Sequence, residues 1–170
     1  VQQQFILIAK NNDGFQRINH YLTTILLKEK TDLHTAPELE NVFTIYPFVK
    51  GKTRTLGENE FIGVRPENIP SIRLQRSATD KMVILQPATF RPKKDFNAHR
   101  LLRAVDLNIL LSKLPATEQA LPSDQMLPLG RLLQLFEGYP EIVQNTQRIL
   151  DESTINFDLS ETKEPQNQKN

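Results

Sequence analysis

Phe5-Ile6-Leu7-Ile8-Ala9-Lys10-Asn11-Asn12-Asp13-Gly14-Phe15 is the stretch whose reading decides the fold class. Its first five residues are apolar without alternation and stop at a polar cluster. That pattern suits a short strand covered on both faces, as in a parallel sheet with helices on either side. Beyond it, Phe15, Ile18, Leu22, Ile25 and Leu26 recur at three- and four-residue steps behind a candidate N-cap, Asp13. The spacing predicts an amphipathic helix over residues 14–29.

Working outward, Val42–Tyr46, Phe61–Val64 and Met82–Leu85 are three more short apolar runs, followed by Pro47, Pro66 and Pro87. Proline cannot donate to a ladder, so each marks the end of a strand. The four runs are expected side by side in one largely parallel sheet, flanked by the first helix and by a second at 95–112 with Asp95 as its cap. Two further helices are expected around Leu129–Phe136 and from Pro140, separated by Gly138. Residues 1–115 form the α/β part in this division, 116–157 a helical extension packed on it, and 158–170 a disordered tail or linker. From Glu161 onward the sequence has no apolar residue with which to offset the entropy of ordering.

Composition narrows the chemistry. With 170 residues, 21 Lys+Arg against 20 Asp+Glu and a net charge of +1, the chain lacks the global field of a generic nucleic-acid binder. Zero Cys excludes thiol catalysis, disulfides and Cys-based zinc sites. No apolar run approaches the ~20 residues that span a bilayer, so a soluble, cytoplasmic protein with no membrane partner is expected. His20, His34 and His99 stand at no metal-ligand spacing. Glu58 and Glu60, and Asp151 and Glu152, are too close in sequence to share a site. No phosphate-cradling glycine motif is present. Two basic loops remain as candidate phosphate contacts, Lys50/Lys52/Arg54 and Arg91/Lys93/Lys94, the latter between a strand and a helix. Neither interleaves aromatic residues for base stacking. The opening at Val1, without Met and directly before a buried-looking run, is read as the cut end of a longer protein. Its bare Phe5–Ala9 edge is then expected to drive self-association.

Three separated anchors carry a resemblance: Phe5–Phe15, the stretch Phe90-Arg-Pro-Lys-Lys-Asp95-Phe-Asn-Ala-His99, and Leu132–Phe136 followed by Pro140-Glu141 and Asn145-Thr146. Together they resemble the PHP (polymerase and histidinol phosphatase) domain of the bacterial DNA polymerase III alpha subunit. The resemblance implies part of a distorted, TIM-like β/α barrel. Active members bind a metal cluster through His, Asp and Glu on strand ends and hydrolyse phosphate esters. Aligned on Phe90 and Asp95, the family's last Asp and His ligands fall at Pro87 and Thr89, so the resemblance implies no catalytic and no metal-binding residue in this chain. Nucleic-acid-binding residues are left unassigned. The implied parent is a DNA-directed DNA polymerase working with magnesium in a separate palm domain. Its PHP domain is a scaffold against the rest of the alpha subunit, meets DNA through the parent enzyme and, in some relatives, docks a proofreading exonuclease. The alternatives are a metal-dependent phosphoesterase or proofreading domain completed by upstream ligands, and an α/β interaction domain unrelated to replication.

Overall fold

The computed structural model describes residues 3–27, 35–73, 76–92 and 94–157. The expected tail at 158–170 lies outside the described residues. All four apolar runs are strands: β1 (Ile6–Ala9), β2 (Val42–Pro47), β3 (Glu60–Val64) and β4 (Met82–Ile84). They lie in one sheet in the order β1-β2-β3-β4. β2, β3 and β4 are mutually parallel, but β1 runs antiparallel to β2, with Ile6 opposite Ile45 and Ala9 opposite Val42.

An apolar run has no direction of its own, so the connection decides this point. The first helix, α1 (Asn12–Leu27), carries the chain about 24 Å from the end of β1. The fourteen residues 28–41 are long enough to retrace that distance. Asn41 therefore arrives beside Lys10, whose amide donates to the Asn41 carbonyl at 2.9 Å. Entering β2 from the end at which β1 leaves makes the pair antiparallel. Among the described residues the sheet is open, with β1 and β4 as its edges, and no barrel closes.

Four further helices follow: α2 (Ile69–Ile72), α3 (Asp95–Asp106), α4 (Leu129–Leu135) and α5 (Pro140–Asp151). Two of the expected caps are displaced. Asn11 caps α1, its Oδ1 accepting the Gly14 amide at 3.0 Å, while Asp13 sits inside the first turn. Asp95 likewise lies within the first turn of α3, beside the helix dipole rather than as its cap. α3 stops at Asp106 instead of 112 because Asn108 takes a left-handed conformation at φ 51, a usual way to end a helix.

Strand parity divides the core. Odd-numbered Phe43, Ile45, Phe61 and Val83 pack on one face with Ile149, against Ile6 and Ile8. Even-numbered Val64 and Met82 face the other way, into Ile72, Phe136, Tyr139 and Ile142. Both faces of the central strands are thus covered, as their unbroken apolar runs require. The helix that packs on β4 is α5, whereas α3 leaves Leu101, Leu102 and Val105 mostly exposed.

α5 also closes the edge of β4. The Ile84 amide donates to Thr146 Oγ1 at 2.8 Å, and Asn145 Nδ2 donates to the Met82 carbonyl at 3.0 Å. Met82 and Ile84 are the β4 residues whose backbone groups point away from β3, since the neighbouring Leu85 amide is the one bonded to Val64. Two side chains of one helix therefore take the place of a fifth strand.

Candidate functional site

In open α/β sheets ligands sit beyond the carboxyl ends of the parallel strands. Here those ends carry Pro47, Arg65 and Gln86, and the chain from Leu121 to Met126 is bonded to the last two and to Thr89 and Phe90 beyond them. Arg65 Nη2 pairs with Asp124 Oδ1 at 3.0 Å and Nη1 with Glu67 Oε1 at 3.1 Å. Asp124 is buried, and its second oxygen accepts the Leu121 amide at 2.9 Å. Gln86 Nε2 reaches the carbonyls of Pro87, Ser123 and Gln125 at 3.0–3.2 Å. The Thr89 amide donates to the Asp124 carbonyl at 2.8 Å, and the Met126 amide to Phe90 at 2.8 Å. A buried carboxylate is tolerated when it is paired and hydrogen-bonded, and Asp124 is both.

Pro87 and Thr89, where the resemblance sets two metal ligands, lie at this sealed end. Proline has no ligand atom, and the Thr89 amide is used in holding the 121–126 segment. Among the described residues no three His, Cys, Asp or Glu side chains are grouped to hold a metal. The set present does not fit a metal cluster.

A second feature is an open cleft of about 680 Å³ along α1, lined by Asp13, Gln16, Arg17, His20, Tyr21, Thr24 and Leu39. Arg17 spans Asp13 at 3.2 Å and Glu40 at 2.8 Å, and Asn41 Nδ2 donates to Asp13 at 2.9 Å. The Asn41 hydrogen bond, followed by the bond and charge of Arg17, holds the Asp13 carboxyl below its ordinary range. Each charge at the mouth of the cleft therefore has a partner.

The remaining sequence candidates are dispersed. His20 lines the α1 cleft, His99 Nε2 accepts the Ala120 amide at 3.0 Å, and His34 lies outside the described residues. Glu60 accepts the Tyr46 hydroxyl at 2.8 Å and the Gly57 amide at 2.7 Å, whereas Glu58 is exposed. Asp151 takes Gln147, and Glu152 takes Lys10 and Arg148. Lys50 and Lys52 are exposed, while Arg54 lies 3.8 Å over the Tyr46 ring. Arg91 and Lys94 are exposed, and Lys93 lies outside the described residues.

The Arg65–Asp124 pair and Gln86 escaped sequence reasoning. Arg65 and Asp124 are 59 positions apart, and no local spacing marks them as partners. Comparison with protein-family models and with curated proteins finds no match.

Proposed function

We propose that the chain is a non-catalytic scaffold, the later part of a PHP domain from a bacterial DNA polymerase III alpha subunit. One observation carries this. At the carboxyl ends of β3 and β4, where such a domain would hold its metals, Arg65, Gln86 and the Thr89 amide are bonded to the 121–126 segment, and the resemblance sets the family's last two ligands at Pro87 and Thr89. In this reading the open sheet is a section of a β/α barrel, and magnesium belongs to the polymerase palm rather than to these residues. The partners are the rest of the alpha subunit, DNA through it, and a proofreading exonuclease, all in the cytoplasm. The apolar side chains that α3 leaves in solvent, Leu101, Leu102 and Val105 at 53–69 % exposure, favour packing against a larger body.

Two measurements test the proposal. The pure chain is expected to leave a chromogenic phosphate ester intact with magnesium, manganese or zinc. Hydrolysis that disappears on substitution of Pro87 or Thr89 would overturn the non-catalytic assignment. The chain is also expected to co-elute with a polymerase III alpha body from which the PHP domain has been removed. Separate elution at concentrations well above the micromolar range would refute the scaffold role.

A further inference from the structure

The net charge of +1 conceals a division of charge along the strand axis. Each parallel strand is entered past an exposed acid: Glu40 before β2, Glu58 before β3 and Asp80 before β4. The cations at that end are engaged. Lys10 pairs with Glu152, Arg17 with Asp13 and Glu40, and Arg148 with Glu152, while Lys81 holds the Gly57 and Glu58 carbonyls. The carboxyl end is the reverse. From Asn41 to Gly57 and from Met82 to Lys94 the sequence contains no Asp or Glu, while Lys50, Lys52 and Arg54 follow β2 and Arg91, Lys93 and Lys94 follow β4.

Both basic turns leave the same end of the sheet, from strands on either side of β3, so their starting points are about 10 Å apart. The first is hydrogen-bonded: the Phe48 amide donates to Gly63 at 2.9 Å, the Lys52 amide donates to Val49 at 3.1 Å, and Gly51 takes φ 77. Arg54 is steadied 3.8 Å over the Tyr46 ring and is still exposed. In the second, the Asp95 amide donates to the Pro92 carbonyl at 2.9 Å, with Arg91 and Lys94 exposed on either side of that bond. Between the turns Arg65 is taken by Asp124 and Glu67, so the positive field comes from the two flanks.

We propose that these two turns form one surface for the phosphate backbone of duplex nucleic acid, bound without reading its sequence. Lys and Arg side chains that neutralise phosphates release the counterions condensed on them, and this drives sequence-independent binding. The aromatic rings flanking the turns are directed inward, Phe48 against the core and Phe90 buried against Phe96. They are not offered to unpaired bases for stacking, which favours a duplex over a single strand. Val49 is the one large apolar side chain between Val49 and Arg54, too little to anchor the chain in a bilayer. The acids at the opposite end orient the chain on a polyanion, basic end first. The proposal goes beyond the scaffold assignment, in which DNA is met only through the parent enzyme.

Fluorescence anisotropy of a labelled, mixed-sequence DNA duplex titrated with the full chain tests this. If Lys50, Lys52, Arg54, Arg91 and Lys94 each meet one phosphate, log Kd rises with log salt at a slope of about 4.5, a weakening of about 500-fold between about 50 and 200 mM. Lys50→Gln with Lys52→Gln should lower that slope by about 2, and so should Arg91→Gln with Lys94→Gln. Arg17→Gln with Arg148→Gln changes the net charge equally at the acidic end and should leave the slope as it is. Circular dichroism checks that each variant is folded, and if one basic pair fails to fold the other decides. The proposal is overturned by no duplex binding at about 50 mM salt, or by equal weakening in the Arg17/Arg148 variant, which would make net charge the cause. Tighter binding to the single strand of the same sequence overturns it as well, and so does binding to phosphatidylserine vesicles with none to the duplex. Each of these failures leaves the scaffold assignment standing, since co-elution with the alpha body tests that separately.

Discussion

Tyr46 and Glu60 show how much one side-chain pair can say about solution behaviour. The Tyr46 side chain is buried, and first that burial, then its hydrogen bond to Glu60 and the carboxylate charge, raise its ionisation above the ordinary tyrosine range; Arg54 over the ring opposes them. The folded chain thus holds the phenolic proton more tightly than the unfolded chain does. The resulting stabilisation is complete below about pH 10 and is lost as pH climbs from there through the raised value. Tyr46→Phe should cost about 1–2 kcal/mol at neutral pH and remove this alkaline loss, as read from urea midpoints across a pH series. Two glycines are fixed by close approach. A Cβ on Gly63 would fall 2.8 Å from Leu85 Cδ2 and 2.9 Å from both Leu85 Cβ and Ile45 Cγ2, so these side chains would have to move. One on Gly14 would be driven into the backbone carbonyl of Asn41, which also anchors Lys10. Gly63→Ala should therefore cost about 1–3 kcal/mol and Gly14→Ala more, with both midpoints falling at unchanged slope.

Among the elements, α5 has the most specific role. Its apolar side chains serve both faces of the sheet, Ile142 on one and Ile149 on the other, while Asn145 and Thr146 between them satisfy the β4 edge. The Thr146 hydroxyl accepts from Ile84 and donates to the Ile142 carbonyl at 2.7 Å, so it is used in both directions. Thr146→Val keeps the shape and removes the acceptor, leaving the Ile84 amide unsatisfied. A loss of about 1–3 kcal/mol is expected, with early amide exchange confined to β4. Thr146→Ser should retain most of the stability. The sequence marked this helix by its apolar period and by Pro140, but periodicity does not reveal that a helix will lie along a strand edge. The same limit applies to α3. Its apolar period is genuine, yet beside the buried Ala104 and the Phe96 ring on Phe90 it is held by polar residues: Arg103 binds the Glu118 carboxylate, Arg100 binds Gln119, and His99 accepts from Ala120.

At the scale of the whole molecule, the last third of the chain is built into the sheet. Phe136 is fully buried among Val64, Ile72 and Met82, and Thr154 returns to Lys10. Phe136→Ala should cost about 3–5 kcal/mol, and unfolding followed by circular dichroism and by tyrosine fluorescence should coincide in one transition for both proteins. A separate early transition for the C-terminal helices would contradict this. The sequence alone determined the four strands, because unbroken apolar runs ended by proline meet one physical demand, cover on both faces. Strand direction, the sealing of the strand ends by Arg65, Gln86 and Asp124, and the choice of α5 over α3 were decided only by tertiary structure. Each depends on residues tens of positions apart, brought together by where a connection returns the chain, and hydrophobic pattern is indifferent to that path.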